Sequence, residues 1–215
     1  MAYYNKKGRK EEACRLLEKA FELDQTDSRI FMELDQLYKK MGRAHAERLT
    51  FLEAHLELVA QRDDLCIERI TLYNQLGNYE KARELIAARK FHPWEGGEGK
   101  VTGQYILCRV ELAKKAIKEK RYLEAISLLK ETDHYPHKLG EGKLINAEEN
   151  EVDYYKGIAY QKLGNEAESI KYLMKATQGS SEPQQAFYYN DQQPDKIFYQ
   201  GLAWRALGEE SKARS

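Results

Sequence analysis

The chain has little of what marks most functional classes. Only 4 of its 215 residues are proline, so helices meet few interruptions. Lys plus Arg number 35 and Asp plus Glu number 35, for a net charge of zero. There is no basic excess to hold nucleic acid and no acidic tail. No apolar run reaches the ~18 residues that suggest a bilayer span. The opening Met1-Ala2-Tyr3-Tyr4-Asn5-Lys6-Lys7 is not followed by the apolar core of a secretory leader. Cys14, Cys66 and Cys108 are odd in number and far apart. They read as small buried side chains in a reducing compartment, hence cytoplasmic, and not as a disulfide framework. Neither nucleic acid nor a membrane is expected as a partner.

Catalytic and cofactor signatures are also missing. Two loops read Pro-x-x-x-Gly-Glu-Gly-Lys, at Pro93–Lys100 and Pro136–Lys143, 43 residues apart. Their glycines and lysine suggest a phosphate loop, which needs G-x-x-x-x-G-K-[ST] after a strand. Here Trp94 and His137 stand where the first glycine belongs, and Val101 and Leu144 where the hydroxyl belongs. His92, His134, His137 and Glu141 offer only a loose metal spacing, with no cysteine near. Glu95, Glu98 and Glu141 could in principle supply the two carboxyls of glycoside hydrolysis, but a simpler reading competes. In Gly-Glu-Gly, the glutamate either points to solvent or caps a helix start. The expectation is no catalytic residue, no cofactor and no metal.

What is present is a repeat. Five glycines sit in similar surroundings: Gly8, Gly42, Gly77, Gly164 and Gly208, with Lys120 in the same place between the third and fourth. The spacings are 34, 35, 43, 44 and 44 residues. The glycine ends the first helix of a pair, where a left-handed residue is needed. Apolar and small residues recur around each turn. Phe31, Leu34 and Tyr38 precede Gly42, and Phe51 and Ala54 follow it. Gly157 and Tyr160 precede Gly164, and Leu173 and Ala176 follow it. Small residues let paired helices approach closely, and aromatics fill the gaps beside them.

This pattern resembles the tetratricopeptide repeat, W-x2-L-G-x2-Y…A-x3-F, with Asp35 in place of a small residue and Glu47 in place of the first alanine. The resemblance implies an all-α right-handed superhelical solenoid of antiparallel helix pairs over residues 1–215. Its repeats fall at about 1–27 (partial), 28–62, 63–100, 101–149, 150–194 and 195–215 (partial). Solenoids normally finish with polar caps, so the partial end repeats suggest a piece of a longer protein.

Surplus residues in the longer repeats fall into three loops, 90–101, 133–149 and 178–194, expected side by side on one edge. They are rich in aromatic and polar residues, and loops are where function concentrates. The candidate edge residues are Phe91, His92, Trp94, Glu95, Glu98, Tyr135, His137, Glu141, Tyr188 and Tyr189. A bland reading has the aromatics fold back over helix ends. The other candidate surface is the concave face of the first helices, with Met32, Gln36, Asn74, Lys114, Tyr154, Gln161, Phe198 and Arg205. The Lys/Asn/Arg clamp with which some tetratricopeptide domains grip a C-terminal carboxylate is not reproduced, since Met32, Gln36 and Glu68 hold the early places.

The stretches Phe91–Lys100, Leu139–Lys143 and Asp191–Ala203 also resemble those of large bacterial proteins in which a tetratricopeptide array follows a β-rich, mutarotase-like domain of unknown function. That resemblance covers about 91–208 and implies an accessory array linked to carbohydrate handling. It carries over no catalytic residue. The expected function is a non-catalytic scaffold for a protein or peptide partner, or for an adjacent domain of its own chain. The alternative is a carbohydrate-binding surface on the three loops. Oligomeric state and the identity of the partner are not legible.

Overall fold

The computed structural model describes residues 8–145, 147–182 and 193–214. Every regular element among them is helical. The chain divides into two compact units, Met1–Leu85 and Ile86–Ser215.

The N-terminal unit contains α1 (Lys10–Leu23), α2 (Ser28–Lys40), α3 (His45–Glu53), α4 (Leu56–Ala60) and α5 (Asp63–Gln75). The next helix, α6 (Tyr79–Ala88), spans the boundary between the units. The C-terminal unit contains α7 (Lys100–Lys118), α8 (Tyr122–Lys130), α9 (Asn150–Lys162), α10 (Glu166–Ala176) and α11 (Pro194–Ala206), with short 3-10 turns at Glu131–Asp133 and His137–Leu139.

The six turn positions read from the repeat all adopt the left-handed conformation. Their φ values are 75° at Gly8, 74° at Gly42, 77° at Gly77, 63° at Lys120, 76° at Gly164 and 83° at Gly208. At five of them the next residue donates its N–H to the carbonyl five places earlier: Arg43 to Tyr38, Asn78 to Tyr73, Arg121 to Ala116, Asn165 to Tyr160 and Glu209 to Trp204, at 2.8–3.0 Å. This closes each first helix with a Schellman bond and satisfies a carbonyl that would lack an intrahelical partner. Lys120 is the one non-glycine residue with positive φ among the described residues.

Packing follows the spacing of small and aromatic residues. In the N-terminal unit, Phe31 is fully buried, with its ring 4.6 Å from Phe51 and 5.3 Å from Phe21. His55 adds a ring 5.1 Å from Phe31. It sits between α3 and α4, so the second half of this helix pair is two short helices. In the C-terminal unit, α9 packs on α10, and a Cβ at Gly157 would lie 2.6 Å from Leu173 Cγ. Only glycine permits that approach.

Two further contacts hold α11 beside α9. The Gln178 carbonyl accepts from Asn150 Nδ2 at 2.8 Å and from Gln200 Nε2 at 2.7 Å. Pro194 opens α11 at a position whose N–H has no helical partner.

Candidate functional site

The two candidate surfaces differ in how far their side chains are already engaged. On the loop edge, most contacts are made within the chain. Phe91 is buried at 2% exposure, and its N–H donates to the Lys138 carbonyl at 2.7 Å. Lys138 Nζ donates in turn to the Ala87 carbonyl at 2.6 Å. Loops 90–101 and 133–149 therefore clasp one another. Gly140, with φ 78°, lies so close to Phe91 that an added Cβ would stand 3.0 Å from its carbonyl oxygen.

The two Gly-Glu-Gly-Lys copies have separate roles. Gly99 is left-handed at the start of α7 and has no side chain to cap it. The carboxylate of Glu141, from the second copy, accepts from Gly99 N–H at 3.0 Å and from Thr102 Oγ1 at 3.2 Å. A negative charge at a helix N-terminus is favourable there. Glu98, in the first copy, is exposed. Lys143 donates to Glu149 at 2.5 Å and to the Thr132 carbonyl at 3.0 Å. Loop two and α7 border a cleft of about 180 Å³ that includes Thr102, Tyr135, Glu141 and Glu149. That is below the ~300–1,000 Å³ of small-molecule pockets.

The other edge residues divide by exposure. His92, Glu95 and His137 are exposed. Trp94 is half-buried, and its ring lies over Gly97, where a Cβ would come within 2.2 Å. Tyr135 is half-buried; its hydroxyl donates to Glu149 at 2.8 Å, and burial, first, holds that phenol protonated well above its usual range. Tyr188 and Tyr189 lie outside the described residues.

The first-helix face is more open. Gln36, Gln161, Phe198 and Arg205 are exposed, and Lys114 and Tyr154 are half-buried. Met32 is half-buried against the N-terminal core. Asn74 corrects the expectation of a surface position: it is only 3% exposed, because its side chain turns inward. Phe91 is the corresponding correction on the loop edge.

In the C-terminal unit, α9 lies against both α7 and α11, and their side chains form one continuous group. Tyr155 of α9 and Tyr199 of α11 have ring centroids 5.8 Å apart, edge to face. Tyr154 completes the contact at 5.1 Å from Tyr155 and 5.8 Å from Tyr199. Phe198 stands 5.4 Å from Tyr199 and is 61% exposed. Lys114 Nζ lies 5.7 Å from the Tyr155 ring centroid and donates to Glu111 at 2.5 Å. Tyr199 donates its hydroxyl to Glu151 at 2.6 Å. Burial lifts the Glu151 carboxyl above its ordinary value; the Tyr199 hydrogen bond and the Lys114 charge oppose this, while Glu111 and Asp195 add to it.

Tyr155, Tyr199, Glu151 and Glu111 were not singled out from sequence. A register signal was there to use. Glu33, Glu68, Glu111, Tyr155 and Tyr199 each stand nine positions before the turn residue. Tyr154 and Phe198, which were singled out, stand one place earlier.

A family profile described as the tetratricopeptide repeat matches residues 2–27 and 154–178. The second match begins in α9, continues through the left-handed turn at Gly164 and covers α10. Those two stretches match tetratricopeptide repeats, and α9, its left-handed turn and α10 are the structure of the second. Solved structures of MamA are similar: one titled MamA AMB-1, at 21% identity and TM-score 0.49, covers 80% of this chain and 84% of its own. Another, titled MamA MSR-1, has 22% identity and TM-score 0.47 over 80% of this chain and 88% of its own.

Proposed function

We propose that the chain is a non-catalytic scaffold that takes a protein segment on the first-helix face of its C-terminal unit. That segment comes from a separate protein or from an adjacent domain of the same chain. The observation that carries this reading is Phe198, a large apolar side chain 61% exposed at the end of a continuous aromatic group. Exposed aromatics on a rigid base are the usual anchors of protein recognition, since they bury much area with little entropy lost. The base is rigid because α9 is fixed to α10 through Gly157 and to α11 through the Gln178 carbonyl. The loop edge offers less, because Phe91, Tyr135 and Glu141 are engaged within the chain.

The test is selection of binders from a random peptide display library, followed by titration against variants. Phe198→Ala is expected to weaken the selected peptides by about tenfold or more. Leu123→Ala, on α8 and 74% exposed, is expected to leave them unchanged. Peptides that bind Phe198→Ala as well as the parent chain would remove the basis of the proposal.

A further inference from the structure

The aromatic face carries charges that its own residues do not all answer. Glu111 is matched by Lys114 at 2.5 Å, and Arg205 lies 3.5 Å from Glu210. Glu151 differs: it accepts the Tyr199 hydroxyl, and among the described residues no Lys or Arg stands within ion-pair distance of it. Asp195 is exposed in the first turn of α11, four residues before Tyr199, and likewise makes no ion pair among the described residues. Lys114 offsets part of the Glu151 charge without forming an ion pair with it, while Glu111 and Asp195 act on it as repelling neighbours. Beside these carboxylates lie the rings of Tyr155, Tyr199 and Phe198. Ring faces attract cations, and arginine does this best in proteins because its guanidinium is planar and weakly hydrated.

We infer that this face recognises an arginine side chain of a partner peptide, with its guanidinium beside Glu151 and Asp195 and its stem against Phe198. The inference rests on the proposed protein-binding role of the face and adds the chemistry of the partner. An acidic peptide would meet Asp195 and a Glu151 that is offset only by the Lys114 charge already shared with Glu111, and a purely apolar one would desolvate both carboxylates without adding a partner. An arginine supplies the missing charge and covers the exposed ring together. Its three-carbon stem suits the apolar edge of Phe198, as long cationic side chains commonly lie along such surface.

The test uses the full chain and three end-labelled peptides of one length, alternating glycine with arginine, lysine or glutamate, titrated by fluorescence anisotropy. The arginine peptide is expected to bind about tenfold tighter than the glutamate peptide, with lysine between them. Phe198→Ala, Glu151→Gln and Asp195→Asn are each expected to weaken the arginine peptide by about fivefold or more. Glu57→Gln, an exposed carboxylate of the other unit, should leave it unchanged. No binding of the arginine peptide at ~1 mM, equal binding of arginine and glutamate peptides, or an equal loss in Glu57→Gln overturns the inference. Glutamate-peptide binding that depends on Phe198 overturns it too, yet leaves the face as a protein-binding surface. If the library-selected peptides are also indifferent to Phe198→Ala, the proposed function itself fails.

Discussion

The two units carry similar helix pairs and both hold buried ion pairs, but they differ at one register position of the first-helix face. In the N-terminal unit, the first-helix face and the helix behind it are neutralised from within. Arg48, only 1% exposed, pairs with Asp35 at 2.6 Å and with Glu68 at 2.7 Å. Lys39 reaches Glu68 at 2.9 Å, and Arg69 reaches Glu53 at 2.6 Å. In the C-terminal unit, Glu111 keeps the residue type of Glu33 and Glu68 at this position, but tyrosines stand there at 155 and 199. Glu151 there takes its hydrogen bond from a hydroxyl, with Lys114 acting only as a nearby charge. At the last two repeats this register position therefore changes a polar face into an aromatic one, beside which Glu151 and Asp195 form no ion pair among the described residues. The lesson is that repeat membership sets where side chains stand, and the identity at a single position sets what that surface attracts.

The strongest way to break this comparison is to unbalance the N-terminal network. Asp35→Ala leaves the buried Arg48 guanidinium with Glu68 as its one remaining acid in the network. Removing one partner of a buried pair costs about 3–5 kcal/mol. Urea denaturation should show that loss, and hydrogen exchange should show residues 28–75 opening first. A loss below ~1 kcal/mol would mean that the network adds little to this unit.

A smaller change makes the turns of the two units alike. Lys120 holds φ 63° where the other five turns have glycine. A left-handed L-residue costs about 1–2 kcal/mol, partly offset by the greater unfolded-state freedom of glycine. Lys120→Gly should therefore stabilise the chain by about 1 kcal/mol, read as a raised urea midpoint at unchanged m-value. A fall in midpoint would show that the Lys120 side chain contributes more than the strained backbone costs.

The smallest expected effect sharpens the comparison through pH. Burial alone would raise the Glu53 carboxyl, but hydrogen bonds from Arg69 and Tyr73 and the Arg69 charge hold it below its usual value. Its contribution is present above the unfolded pKa and is lost as pH falls through the folded one. Burial lifts Glu151 the other way, so its contribution is present below the unfolded pKa and is lost as pH rises through the folded value. At neutral pH, Glu53→Gln should destabilise and Glu151→Gln should stabilise, and both differences should fade on acidification. Thermal melts across pH 7 to ~4 check this. The same sign for both variants would erase the electrostatic contrast.

How much of this was legible can be argued from particular residues. The turn positions were, including Lys120, because a left-handed helix end is a local backbone requirement and recurs at repeat spacing. The close approach at Gly157 was legible for a similar reason, since a missing side chain faces Leu173 one repeat element later. The break at His55 was not, because a ring packed among Phe21, Phe31 and Phe51 overrides a helical pattern. Glu141 was legible only as a choice between solvent and a helix cap. The cap it supplies belongs to a helix 42 residues away at Gly99. Its twin Glu98 took the other choice.

The sequence by itself determined the helix pairs, their turns and the classes of chemistry for which no motif exists. These follow from periodicity, from backbone sterics and from composition, each of which acts within a few residues. Tertiary structure decided which side chains are spent inside the chain and which face outward. Phe91 and Asn74 went inside, Phe198 stayed out, and Tyr155 met Tyr199 across two helices. Such outcomes depend on distances between elements far apart in sequence, where burial and hydrogen bonding are settled only once the helices pack.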